Sequence, residues 1–225
     1  MSRRDAVRQE PSAGQDIVAR LRAEIVRNVF APEAKLKFVD MTKRYDVGIG
    51  TLREALSQLV TEGFVTLEVG KGFRVAPVSR EDLTEITDHY VDFELRALAD
   101  AISRGDDEWE SRIVASKHRL NIIESQPWSV RMERHSEWVE RHREFHEALV
   151  GACEKQWLFR LRSLMFDQLD RYRFLTKMVP EGLGVRKFNE HWEIMQATLE
   201  RNVDKATSLL EEHIRDVSEE GLKSL

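Results

Sequence analysis

Residues 47–75 constrain the fold of this chain most, because a helical stripe gives way at once to a tight hairpin. Leu52, Ala55, Leu56 and Leu59 fall at i, i+3, i+4 and i+7, the spacing of a helix packed on a core. Thr51, Arg53 and Ser57 fall on or near the other face, where a partner can reach them. Gly63 stands where a helix end favours positive φ. Val65, Leu67 and Val69 alternate with Thr66 and Glu68, the pattern of a half-buried strand. Gly70-Lys71-Gly72 makes the turn, and Phe73, Arg74 and Val75 form the returning strand. A helix able to enter a groove, beside a hairpin tipped by lysine, has the shape of a winged helix-turn-helix. That shape implies contact with double-stranded DNA.

The overall charge of −5 looks wrong for a DNA binder until it is divided. Residues 1–78 hold 13 Lys+Arg against 10 Asp+Glu, and the remainder holds 22 against 30. The basic excess therefore lies with the motif, and the rest is acidic. Arg53 is the candidate for a bidentate contact to guanine, helped by Thr51. Lys43, Arg44, Lys71 and Gly72 are candidates for the phosphate backbone, which positions a protein without specifying sequence. The single Cys153 excludes an internal disulfide and suits a reducing cytoplasm. Residues 1–10 have no apolar run of the secretory type, and no stretch approaches the roughly 20 apolar residues of a membrane span.

The pattern predicts disorder over residues 1–13 and a DNA-binding domain over 14–77. Its first helix spans about 15–28, with Ile17, Leu21, Ile25 and Val26 inward, and its second spans 39–46, with Met41 and Tyr45 inward. Pro77 breaks the chain, residues 78–82 read as a linker, and Ser79 with Asp82 signals a helix cap. From residue 83 to 222 the periodicity is helical throughout, with helices expected near 83–104, 109–123, 133–152, 156–179, 186–201 and 203–222. Short loops between them predict an antiparallel bundle. The fold class is mainly α, a winged domain followed by an all-α domain.

Four of the seven histidines have informative spacing. His142 and His146 are i, i+4 on one helix and share a face with Phe145 and Leu149. His213 sits on the stripe of Ala206, Leu209, Leu210 and Val217, and His191 is in register with Ile194, Met195 and Thr198. Such side chains can be separate core histidines bonded to carbonyls, or they can converge on one divalent transition metal. Four imidazoles suit zinc or nickel and disfavour magnesium. The tryptophans Trp109, Trp128, Trp138, Trp157 and Trp192 read as core or interface residues.

Taken together, these residues resemble the GntR family of bacterial transcription regulators, in the branch with a C-terminal FCD domain. The marks are Thr51-Leu-Arg-Glu-Ala-Leu56, Glu62-Gly-Phe-Val65 and Gly70-x-Gly-x-x-Val75, then Phe145-His146, His191-x-x-Ile194, Ala197, Ala206 and His213-Ile214. Arg104-Gly-Asp-Asp-Glu-Trp109 and Arg171-Tyr-Arg-Phe174 resemble the carbon-starvation-induced subgroup, whose members resemble repressors of small-acid catabolism. The resemblance implies a metal held by an Asp-x-x-x-His pair and two later histidines. His146, His191 and His213 match three positions, and His142 replaces the aspartate, which raises the charge of the site by one unit. The family commonly has a Ser/Thr-Arg pair at the start of the recognition helix, and here Gly48 and Ile49 stand there. It also often has an arginine four residues before a glutamate on the first helix of the second domain. Glu94 is present, but Tyr90 takes the arginine position.

The positive partner of an anionic effector is therefore sought in Arg173, Arg171 or Arg96, beside Tyr90. The resulting expectation is a cytoplasmic, homodimeric repressor on a pseudo-palindromic operator, released by a small carboxylate such as glutarate, held near the metal. Two rivals stand beside it. One is a metal enzyme using Glu94, Glu144 or Glu190 as base. The other is a sensor whose effector is the metal itself.

Overall fold

Three helices build the N-terminal unit: α1 (Ala13–Val26), α2 (Phe38–Tyr45) and α3 (Ile49–Thr61). The computed structural model describes residues 13–176 and 183–225, and the chain divides at Pro77 into two compact units. Leu52, Leu56 and Leu59 of α3 are fully buried, with Ile17, Leu21 and Ile25 of α1. The expected inward residues Met41 and Tyr45 are buried in α2. Asp46 takes φ 54° at the end of α2, which turns the chain sharply into α3. Arg22 joins α1 to Glu62 beyond α3 through a bidentate pair, both bonds 2.8 Å.

The wing is β1 (Val65–Glu68) paired antiparallel with β2 (Gly72–Val75), in register Val65 with Val75 and Glu68 with Gly72. Gly63, Gly70 and Gly72 all have positive φ, so each meets a conformation that other residues resist. The alternation expected for β1 fails beyond its first residue. Val65 is buried, but Leu67 is 57% exposed and Val69 fully so. The hairpin runs past the edge of the small core, and Phe73 and Val75 of β2 supply the inward face instead. A further short segment pairs with β2: the Leu36 amide donates to Phe73, and the Val75 amide donates to Ala34. Three residues, Ala34-Lys35-Leu36, are too few to form a strand pattern in the sequence.

The second unit is helical in all its described regular structure: α4 (Arg80–Arg104), α5 (Asp107–Glu124), α6 (Trp128–Glu133), α7 (His135–Leu149), α8 (Gln156–Thr176), α9 (Leu183–Leu199) and α10 (Val203–Ser224). The linker expected over 78–82 is shorter, because Ser79 caps α4 by accepting from the Asp82 amide at 3.0 Å, and the helix begins at Arg80. The segment expected as one helix over 133–152 starts at His135, with the separate α6 before it. Of the disorder expected over 1–13 and the loop expected over 180–184, Ala13 instead begins α1 and Leu183 begins α9; the rest, with the helix end expected near 177–179, lies outside the described residues.

The core of this unit joins Tyr90, Leu98, Trp109, Phe145, Phe166, Tyr172, Ile194 and Leu210. The Arg104–Trp109 motif has a packing role. Asp106 caps α5 by accepting from the Trp109 amide, and a Cβ on Gly105 would sit 1.9 Å from the Trp109 ring. Trp109 and Trp138 are buried, whereas Trp157 and Trp192 are more than half exposed. No helix among the described residues is long and apolar enough to cross a membrane.

Candidate functional site

Helices α7, α9 and α10 bring His142, His146, His191 and His213 together. All four are at most 2% exposed, and each offers a ligand nitrogen within 4.8 Å of the others. Helical phase explains the convergence. The i, i+4 pair shares one face of α7, and His191 and His213 each occupy an apolar register position on the helices that cross it. His142 Nε2 and His146 Nε2 are 3.1 Å apart. His191 and His213 rings lie 4.5 Å apart between centroids.

Their outer nitrogens are held from behind. His191 Nδ1 pairs with Glu124 at 2.9 Å, and Glu124 in turn with buried Lys117 at 3.1 Å. His213 Nδ1 pairs with Glu190 at 2.9 Å. Burial alone would raise Glu124, but His191 and Lys117 hold its carboxyl down at about 2. His142 and His146 are driven well below the usual imidazole range, by burial first, then by the neighbouring imidazoles and Arg173. They are therefore neutral, the form that binds metal.

Buried Nδ1 of His142, Nδ1 of His146 and Nε2 of His191 have no hydrogen-bond partner among the described residues. Buried polar atoms are normally satisfied; here the Nε2 atoms of His142 and His146 face only each other and Nε2 of His191 has no partner among the described residues, which fits a metal ion. The carboxylate-backed histidines follow the pattern of metal ligands oriented from a second layer. Those carboxylates also correct one expectation. His142 in place of an aspartate raises the charge of the site by one unit, but Glu124 and Glu190 set negative charge directly behind two of the imidazoles.

Beside the cluster, three guanidinium groups surround one ring. Arg143, Arg162 and Arg173 lie 4.6, 4.9 and 5.2 Å from the Phe166 centroid. Arg162 is paired with Glu94 through both Nε and Nη2, and Glu94 lies 3.8 Å from His146 Nδ1. Arg173 donates to Asp170 at 2.6 Å, and Arg143 reaches Asp170 and Asp167. Tyr90 packs on Phe166 at 5.5 Å. Its buried hydroxyl makes no hydrogen bond of ordinary geometry among the described residues.

Of the four effector candidates, Arg173 and Tyr90 therefore border the histidine cluster. Arg96 does not, since its helical phase turns it to solvent while Glu94 points in. Arg171 is buried on another side of α8, within electrostatic reach of Tyr172 and Asp82. Tyr172 donates to Asp82 at 2.5 Å and accepts from the Ser79 amide at 3.2 Å, at the start of α4. The cation that stands beside Glu94 is Arg162 of α8, which was not among the sequence candidates. The signal was present: Arg162, Phe166, Leu169 and Arg173 share one stripe of α8, which places two arginines on an apolar face.

On the winged unit the expected contacts separate by how free they are. Arg53 is exposed, and its guanidinium is held 5.3 Å from the Phe38 centroid. Thr51 is half-buried at the start of α3, and Lys43 is exposed on α2. Arg44 is paired with Glu24 at 2.8 Å, so a phosphate must compete for it. Lys71 pairs with Glu68 at 2.7 Å at the tip of the wing, and Gly72 begins β2 with φ 85°.

Residues 13–75 match the bacterial regulatory proteins of the gntR family, and residues 85–216 match the FCD domain. The chain is 38% identical over 198 residues to the HTH-type transcriptional repressor GlaR of Escherichia coli, covering 86% of this chain and 89% of that protein. It is 36% identical over 196 residues to the HTH-type transcriptional regulator BphR of Paraburkholderia xenovorans, covering 87% of this chain and 79% of that one. A GntR-type regulator from Rhodococcus sp. RHA1 shares the fold at TM-score 0.77 and 20% identity, over 96% of this chain and all of that one.

Proposed function

Because this chain belongs to the GntR family of transcription regulators with an FCD domain, we propose that it is a metal-dependent, ligand-responsive repressor of a small-organic-acid catabolic operon. Family membership makes it a DNA-binding regulator and removes the metal-enzyme reading. The observation that supports the finer reading is the buried meeting of four histidines with Arg162 and Arg173 around Phe166. His142, His146, His191 and His213 hold a divalent transition ion, zinc or nickel, to which a carboxylate can add as a further ligand. Arg173 takes the second carboxylate of a glutarate-like effector through a charge-assisted pair. Tyr90 offers its hydroxyl to the same ligand.

The turn of α8 that carries Arg173 also carries Tyr172, which grips Ser79 and Asp82 just after the winged unit ends. An anion that displaces Asp170 from Arg173 therefore acts on the turn that secures the start of α4. Two copies place their α3 helices on a pseudo-palindromic operator in the cytoplasm. Exposed Trp157 and Leu161, i and i+4 on α8, offer apolar surface for self-association. Effector binding must favour one arrangement of the winged units over another to alter DNA affinity. A coupling of about 1–3 kcal/mol would shift it roughly 5–150-fold.

Calorimetric titration of small dicarboxylates into metal-loaded and metal-stripped protein, followed by operator release, tests this reading. Tight binding only to loaded protein, lost in Arg173→Ala, is expected. Equal affinity in both forms would leave the ion a structural role. Release by metal alone would make the ion the effector.

A further inference from the structure

The first turn of α3 carries a feature that the metal and effector do not explain. Ile49, its first residue, is 57% exposed. It stands four residues before Arg53, so the two side chains share one face of the helix. An exposed isoleucine alone is ordinary. Its neighbours are not explained so easily. Gly48 has φ −68° and neither Gly48 nor Gly50 has positive φ, so the backbone does not need glycine at either position. A Cβ added to Gly48 or to Gly50 would meet no heavy atom within 4 Å. Packing inside the winged unit does not need glycine there either. Gly50 weakens the helix relative to alanine, and Gly48 caps it without a side-chain bond. Space is thus kept clear on both sides of one exposed aliphatic group, on the helix that a regulator of this family directs at DNA.

We propose that Gly48-Ile49-Gly50 lets the start of α3 approach the major groove closely, and that Ile49 reads the C5-methyl group of a thymine. In the major groove that methyl is the apolar mark that distinguishes a T·A pair, and aliphatic side chains recognise it by contact. Phe38 holds Arg53 one helical turn further on, about 6 Å along the axis. The thymine therefore lies within about two base pairs of the guanine that Arg53 contacts. This inference rests on DNA reading by α3 and is independent of the metal and the effector.

The test uses full-length, metal-loaded protein and a duplex that it selects from a random pool. Each thymine of that duplex is replaced in turn by deoxyuridine, which lacks only the methyl group. One thymine per half-site is expected to matter, with a loss of about fourfold, the value of one buried carbon group. Ile49→Ala should weaken binding by at least as much and become indifferent to that replacement, whereas Arg53→Ala should remain sensitive to it. Gly48→Ala and Gly50→Ala should keep or raise the melting temperature while weakening binding more than tenfold. Equal binding of every deoxyuridine duplex, or an unchanged deoxyuridine effect in Ile49→Ala, would overturn the proposal. Failure to select any preferred sequence would instead remove the DNA-reading role of α3.

Discussion

The winged unit keeps its charges outside an apolar core, whereas the helical unit builds charge into its core. In the first, Arg53, Lys43 and Lys71 are exposed, and the buried set is Ile17, Leu21, Leu52, Leu56 and Phe64. In the second, Glu94, Asp170, Arg162, Arg173, Lys117 and four histidines are buried among Phe145, Phe166 and Tyr172. A surface that reads a polyanion needs cations exposed to solvent. A site that selects a small ion and an anion needs fixed groups shielded from water, where pairing is strong and any unpaired charge is costly.

The largest effect that could break this contrast lies in Arg162. Removing one partner of a buried ion pair leaves a charge without compensation and costs about 3–5 kcal/mol. Arg162→Ala should therefore lower stability by that order in urea denaturation. The double change Glu94→Leu with Arg162→Met should be much milder. Arg22→Ala in the winged unit, where the pair with Glu62 is partly exposed, should cost about 1 kcal/mol or less. Equal losses for Arg162→Ala and Arg22→Ala would erase the distinction.

Acid should act on the helical unit first. In metal-stripped protein His142 and His146 titrate below the unfolded imidazole value, because burial and neighbouring cations disfavour their charged forms. The unfolded chain then binds more protons. Stability is complete above about pH 6.5 and declines as pH falls from there toward the folded values. Each imidazole contributes a slope of at most about 1.4 kcal/mol per pH unit. A melting temperature flat between pH 7 and 5 in stripped protein would contradict the neutral buried pair. Metal affinity gives a finer measure. Glu190→Ala removes the carboxylate behind His213 and should weaken zinc binding about 10–100-fold in a chelator competition, with the fold retained.

The apolar half of this contrast was legible in the sequence and the polar half only partly so. Periodicity located the stripe of α3, because Leu52, Leu56 and Leu59 announce burial by their chemistry. It also aligned the four histidines, since α7, α9 and α10 carry them among apolar neighbours. It missed Arg162, Glu124 and Lys117, because a charged residue on a helix reads as solvated unless its partner from another helix is known. Arg162 meets Glu94 across 68 positions and Glu124 meets His191 across 67, and no local pattern encodes such pairs. Leu67 and Val69 failed in the opposite sense. Alternation marks a strand but does not say whether a core lies beneath it, and the wing extends beyond one.

The exposed half is tested by two cations that differ in how they are held. Arg53 is steadied over Phe38 and has no carboxylate partner among the described residues, so it is available to a base edge. Arg53→Ala should cost about 1–3 kcal/mol of operator affinity and relax preference at one position in gel-shift titrations.

Lys71 is the smaller effect and the sharper discriminator. It sits on the turn of the wing with Glu68 at 2.7 Å, so its charge is already shared, and its side chain is 67% exposed. A lysine in that setting serves a phosphate as a point charge and distinguishes no base. Lys71→Ala should weaken operator and scrambled duplexes by the same factor and reduce the slope of log affinity against log salt by about one. Glu68→Gln frees the lysine from its partner and should strengthen both duplexes alike. A loss confined to the operator would make Lys71 a base reader, and the wing would then share the specificity assigned to α3.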